Sequence, residues 1–513
     1  MLDLVVINGK LVDGTGNPWY QADIGVKDKH IVAIGRDLGK ANRVIDAKGL
    51  VVAPGFIDIH AHSGASLLVD PKGQSAVRQG VTTQVIGNCG HSMFPVAEDA
   101  MPAMDYGKEP MTDLVSYAGR VREQGVGINV APLVGHSVVR AAVMGYAARL
   151  PSADELEAMK RIVAKAMEDG AFGMSTGLIY PPGCFSDTNE LVALVQVVAK
   201  YGGIYTSHIR NEREGVVAAV EEAIAIGERA GLPVQVSHHK AANRKSWGLV
   251  HDTLRIMEEA RARGVDVTCD QYPYVATLSM LSIFLPHWAH DGGMKALLGR
   301  LRDVKVRQRI LTEVRQLGKD WSEVVIIACP KHREWRGLSV AEIAELLGVS
   351  PEEAVPETLL AGDDDVQMVN FGMCEDDVIT VMRHPLTMIG SDGLAVAPDG
   401  ILGEDPQHPR SYGAFPRVLG VYVREKRVLT LEEAVRKMTS APAQRLGLRG
   451  RGLLREGMRA DITIFDPQLV ADRATFTEPH LYPVGIEVVL INGEVVIEGG
   501  HHTERLPGEV LQL

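Results

Sequence analysis

A chain of 513 residues, 46% hydrophobic, can bury a large core and exceeds one ordinary domain, although an α/β barrel could take up most of it. A net charge of −12 and a pI near 5.8, without long basic runs, argue against sequence-independent nucleic-acid binding and against attraction to an anionic membrane surface. Five scattered cysteines with no Cys-x-x-Cys pair exclude a disulfide framework or a zinc finger.

The first residues, MLDLVVINGK, carry no signal-peptide pattern, and no apolar run reaches membrane-spanning length, so a cytoplasmic protein is expected. The two ends echo each other: INGKLVDGTG at 7–16 and INGEVVIEGG at 491–500 each hold an Asn-Gly hairpin signal. Residues 1–54 and 446–513 are therefore expected to pair into one small β-sandwich.

Between them, eight short apolar runs alternate with helix-period segments: LVVAPGFIDIH (50–60), VTTQVIG (81–87), GINVAPL (127–133), AFGMSTG (171–177), GGIYTSH (202–208), LPVQVSH (232–238), GVDVTCD (264–270) and LTMIGSD (386–392). Eight strands with helical crossovers predict a (β/α)8 barrel, a TIM-like α/β fold, over residues 55–445. A doubly wound sheet would need a glycine-rich phosphate loop after an early strand, and none is present. The long gap between strands seven and eight predicts an inserted subdomain at about 285–370, a lid or wall over the barrel mouth.

Residues at the C-terminal ends of barrel strands project into the mouth. In GFIDIHAHSG the strand alternation puts Asp58, His60 and His62 on one face, so two imidazoles converge. Cys89 ends strand two, His208 strand five, His238 strand six and Asp392 strand eight. Each alone has a bland reading as a buried thiol, a satisfied histidine or a turn cap. Together they predict a metal site, since imidazole, thiolate and carboxylate are the ligands of Zn²⁺. His239 should point away from the interior, and His91 and His136 lack the placement.

FIDIHAHSG, VTTQVIGNCG, SHIRNE, SHHK, DQYPY and MIGSDG followed by HPRSYG resemble the D-aminoacylases, the N-acyl-D-amino-acid deacylases of the amidohydrolase superfamily, over nearly the whole chain. The resemblance implies zinc-dependent hydrolysis of a small-molecule N-acyl-D-amino acid to a carboxylate and a free D-amino acid. It implies a tight zinc site at Cys89, His208 and His238, a second, weaker metal position at His60 and His62, and Asp392 as catalytic base. Lys240, Tyr272 and Arg410 match the family's carboxylate-binding residues, with Tyr274 a near neighbour of the tyrosine. Many binuclear members of the superfamily bridge their metals with a carboxylated lysine at the end of strand four; AFGMSTG has no lysine, which leaves Cys89 as the candidate bridge.

Zinc-activated water as nucleophile, with Asp392 moving the proton, is the expected mechanism. A serine hydrolase is disfavoured by the lack of a Gly-x-Ser-x-Gly elbow. The apolar VATLSMLSIFLPHW after strand seven points to a neutral or hydrophobic side chain on the substrate. The alternative is a cyclic amidase of the hydantoinase or dihydroorotase kind, which typically uses the strand-four lysine. A catalytically dead scaffold would be expected to have lost ligands. Oligomeric state stays open.

Overall fold

The computed structural model describes residues 1–95, 111–363 and 365–513. Its centre is a closed barrel of eight parallel strands: Phe56–Asp58, Val81–Ile86, Asn129–Pro132 continued by Val134–Gly135, Gly173–Gly177, Ile204–His208, Val234–Val236, Val267–Gln271 and Thr387–Ile389. Neighbours pair in parallel register, for example Ile57 with Thr83, Thr83 with Asn129, Gly173 with Ile204 and Cys269 with Thr387. Closure between strands eight and one comes just beyond their regular ends. There Ala61 bridges Gly393, and the Asp392 and His62 amides donate to the His60 and Gly393 carbonyls, each at 2.8 Å.

The crossover helices form where capping and period agree. Ala153–Glu168 opens on a capping box made by Ser152 and Glu155. Val216–Ala230 stops at Gly231, whose left-handed backbone lets its amide reach the Gly227 carbonyl. Their buried faces join strand residues in one large core that includes Val163, Val195, Val220, Val234 and Met257.

The run LVVAPGFIDIH is two strands in two different sheets. Val51–Pro54 belongs to the terminal sheet and Phe56–Asp58 opens the barrel. The switch falls at Gly55, where a Cβ would sit 2.2 Å from the Thr82 hydroxyl oxygen, so no larger residue passes there. A seven-stranded sheet takes Lys10–Leu11 and Val51–Pro54 from one end of the chain and Ile462–Phe465, Ile486–Ile491 and Glu494–Glu498 from the other. It shares an apolar core (Leu4, Ile24, Val52, Ile464, Leu490) with a four-stranded sheet built from Leu2–Ile7, Asp23–Lys27, His30–Gly35 and Ala41–Asp46.

The insertion between strands seven and eight opens at Thr277, earlier than residue 285. Strand Thr277–Met280 pairs antiparallel with Gln367–Asn370, which also pairs with Val324–Ala328. Helices between Met294 and Ala361 close over this sheet around a separate core of Leu281, Leu297, Ile310, Trp321, Ile343 and Leu359. The insertion therefore packs as its own body, and strand Thr277–Met280 forms a wall of the barrel mouth. Among the described residues no helix is long and apolar enough to cross a membrane.

Candidate metal centre and the cavity around it

Of the expected strand-end groups, His62, Cys89, His208, His238 and Asp392 line one cavity of about 320 Å³, and His60 touches Cys89 and Asp392. His60, Cys89, His238 and Asp392 bring one ligand-type atom each to within 4.8 Å of one another, all buried. Cys89 Sγ lies 3.3 Å from His60 Nε2 and 3.4 Å from His238 Nε2, and Asp392 Oδ1 lies 3.0 Å from His62 Nε2 and 3.5 Å from His60 Nε2. His208 stands beside them, with Nδ1 2.9 Å from His238 Nε2 and a buried Nε2 that has no hydrogen-bond partner among the described residues.

Three of these residues hold a backbone that side chains usually avoid: φ is +53° at Cys89, +34° at His238 and +52° at Asp392. Such residues cost on the order of 1–3 kcal/mol each and persist where the surroundings fix them. Here the fixing groups are visible. Asp270 Oδ1 accepts the His238 backbone N–H at 2.7 Å and faces His60 Nδ1 at 3.2 Å, while Gln235 Nε2 donates to its other oxygen at 2.8 Å. Asp58 accepts from the Ser391 amide at 2.8 Å and from Gln84 at 3.2 Å, which anchors the turn carrying Asp392. Burial is the main influence on the Asp58 carboxyl and pushes it up to about 6 despite these bonds.

Burial would raise the Cys89 thiol, but the His60 and His238 rings pull it well below its usual range. Burial likewise opposes ionisation of Asp392, and Arg410 and His238 outweigh it, holding the carboxyl well below normal. Both sets of neighbours favour the thiolate and the carboxylate, the forms that bind cations. A mixed set of sulfur, imidazole nitrogen and carboxylate oxygen, with His208 Nδ1 turned towards it, fits Zn²⁺.

Cations line one side of the same cavity. Arg410 Cζ lies 4.9 Å and Lys240 Nζ 5.7 Å from the centre of the Tyr272 ring. Arg410 Nη1 approaches Asp392 Oδ2 to 2.7 Å, yet neither Nη1 nor Nε has an aligned hydrogen-bond acceptor. The Tyr272 hydroxyl donates to Met373 Sδ at 3.7 Å, so the ring rather than the hydroxyl meets the two cations. Tyr274 lies outside the cavity, its hydroxyl 3.4 Å from Asp472. His239 turns away, 2.8 Å from Thr253 on the following helix, and His136 is tied into the core by Glu190 at 2.9 Å.

Sequence reading missed four participants: Glu212, Asp270, His91 and Tyr180. Glu212 Oε1 takes a 2.5 Å bond from Lys240 and lies 3.1 Å from His238 Nδ1. His91 and Tyr180 line the cavity, and Tyr180 meets Ser279 of the insertion at 3.2 Å. The same alternation that turns Tyr272 inward turns Asp270 inward, which was the available signal. Glu212 and Tyr180 lie on loops past strand ends, where no period applies.

A profile of the amidohydrolase family matches residues 43–497. The N-acyl-D-glutamate deacylase of Alcaligenes xylosoxydans xylosoxydans is 40% identical over all of this chain and 96% of its own length. The chain belongs to the D-aminoacylase family of amidohydrolases. The D-aminoacylase of the same organism is 38% identical over 99% of this chain and 97% of its own. Among solved structures, the N-acyl-D-glutamate deacylase from Bordetella bronchiseptica, complexed with zinc and a phosphonate mimic of the tetrahedral intermediate, superposes with a TM-score of 0.86 at 38% identity over 100% of both chains. This chain is accordingly an amidohydrolase, with the (β/α)8 barrel of that family.

Proposed function

We propose that this amidohydrolase hydrolyses N-acyl-D-amino acids with neutral or hydrophobic side chains to a carboxylate and a free D-amino acid, using zinc. The observation that carries the reading is one cavity holding both a zinc-type ligand cluster and, beside it, two buried cations against the Tyr272 ring. Such a cavity fits an amide whose neighbouring carbon bears a carboxylate.

Cys89, His208, His238, His60, His62 and Asp392 would hold the metal, the first three as the tight site and the His60 and His62 pair as a weaker one. Bound there, zinc supplies a Lewis acid that polarises the acyl oxygen and lowers the pKa of water. Asp392 then accepts the proton of the attacking water and returns it to the amide nitrogen as the C–N bond breaks. Arg410 and Lys240 hold the α-carboxylate, since among the described residues the buried Arg410 Nε has no acceptor and both cations line the cavity. Fixing carboxylate and amide together leaves one direction for the side chain, so only one enantiomer presents its amide correctly.

Ile179, Leu278, Met280, Ile283 and Leu394 line the cavity, and among the described residues Lys240 and Arg410 are its only lysine and arginine. An adjoining chamber of about 320 Å³ adds Pro181, Leu285 and Met294 together with His287 and His290, whose charged forms burial disfavours. A second substrate carboxylate would be buried there without a cation, at a cost of several kcal/mol. Relatives named for D-glutamate and for D-amino acids in general are nearly equally similar, so this lining carries the preference. The five unpaired cysteines suit a reducing cytoplasm.

A chiral screen of N-acetyl amino acids on protein of measured zinc content tests the reading. Turnover of D-methionine and D-leucine derivatives above those of D-glutamate and of every L form is expected. Preference for the D-glutamate derivative would remove the side-chain assignment, and turnover of cyclic amides alone would remove the whole reading.

A further inference from the structure

Glu212 stands behind the ligand cluster and touches both halves of the site. Its Oε1 accepts from Lys240 Nζ at 2.5 Å and lies 3.1 Å from His238 Nδ1, and its Oε2 lies 3.6 Å from His208 Nε2. The carboxylate is nearly buried, lining the cavity from the loop four residues past the end of strand five.

We propose that Glu212 is a positioning residue shared by the metal centre and the carboxylate pocket, so that zinc affinity and substrate affinity are set by the same side chain. The inference rests on the function proposed above. His238 points Nε2 at Cys89 and Nδ1 at Glu212. If Nε2 serves the metal, the ring proton sits on Nδ1 and donates to Glu212, which fixes the tautomer and orients the ring. Lys240 Nζ lies 2.8 Å from the same Nδ1. Once Nδ1 carries a proton it is no acceptor, and the ammonium keeps Glu212 on one side and turns its remaining N–H groups to the cavity. Ordering the histidine for zinc and aiming the lysine at the substrate's carboxylate are thus one rearrangement around one carboxylate.

The test compares wild type, Glu212→Gln and Glu212→Asp. Zinc dissociation constants come from chelator competition without substrate, and KM and kcat for N-acetyl-D-methionine are measured at saturating zinc. Glu212→Gln should weaken zinc roughly 10- to 100-fold. It should also raise KM about tenfold, because Lys240 loses its charged partner, with a smaller change in kcat. Glu212→Asp, which keeps the charge on a shorter arm, should fall between the two on both measures. A Gln variant that loses zinc affinity alone, KM alone or neither overturns the shared role, and unfolding curves of the zinc-loaded proteins identify a variant whose losses come from misfolding, for which the Asp variant then decides. Failure of the functional proposal looks different: zinc-loaded wild type itself would turn over no N-acyl-D-amino acid.

Discussion

Arg410 and Asp392 form a buried ion pair at 2.7 Å, joining the proposed carboxylate anchor to the proposed base. Arg410→Met should lower kcat/KM for N-acyl-D-amino acids by at least roughly tenfold, because a charge-assisted contact of about 1.5–3 kcal/mol is lost. The D preference should erode with it, and an analogue without the α-carboxylate should lose less. Kinetics on both enantiomers of N-acetylmethionine and on the carboxylate-free amide check this; equal fractional losses would make Arg410 structural.

Asp392→Asn preserves size and polarity but removes the proton acceptor. Turnover should drop by ~10² to 10⁴ with substrate affinity nearly kept. Stopped-flow or steady-state rates on protein of known metal content decide, and a loss of only a few-fold would place the base elsewhere.

Cys89→Ala should lose both zinc and activity, since its thiolate lies between His60 and His238. Cys184→Ala should be close to wild type, because that thiol is held neutral, pushed up to about 12 mainly by burial, and lies outside the ligand cluster. Elemental analysis of the two purified variants separates them; full zinc in the first would dismiss the ligand assignment.

Gly177 ends strand four directly against the Cys89 loop, where an added Cβ would come within 2.1 Å of the Cys89 carbonyl oxygen. Neither backbone can give way cheaply, so Gly177→Ala should shift Cys89 and weaken zinc binding at least tenfold, with a stability loss of the ~1–3 kcal/mol that overpacking costs. Chelator competition beside thermal unfolding reads the two effects, and unchanged zinc affinity would show that the loop relaxes elsewhere.

Barrel order was readable because each strand is a short apolar run bounded by glycine or polar residues, and such runs keep their meaning locally. The strand-end cluster was readable because strand ends converge by construction of the barrel, and His60, Cys89, His208, His238 and Asp392 do meet there. What stayed hidden depends on loops. Glu212 reaches His238 only through the path of the chain after His208, and a glutamate in SHIRNE reads equally well as a solvated loop residue. The split of LVVAPGFIDIH into two sheets was invisible for the opposite reason: an unbroken apolar run carries no mark of which sheet it joins, and only the contact of Gly55 with Thr82 reveals the change.

The pairing of distant segments also bears on how the enzyme comes into being on the ribosome. Barrel strand Asn129–Pro132 completes its hydrogen bonding through the Val130 amide to the Glu509 carbonyl at 2.9 Å and the Leu511 amide to the Val130 carbonyl at 2.7 Å. At ~5–20 residues per second, roughly 20 to 75 s separate translation of the two partners. Throughout that interval the nascent barrel presents an open edge and an uncovered apolar sheet face, which makes it a natural client for chaperones. Yield in a heterologous host should therefore respond more to translation speed and chaperone supply than to the intrinsic stability of the finished enzyme.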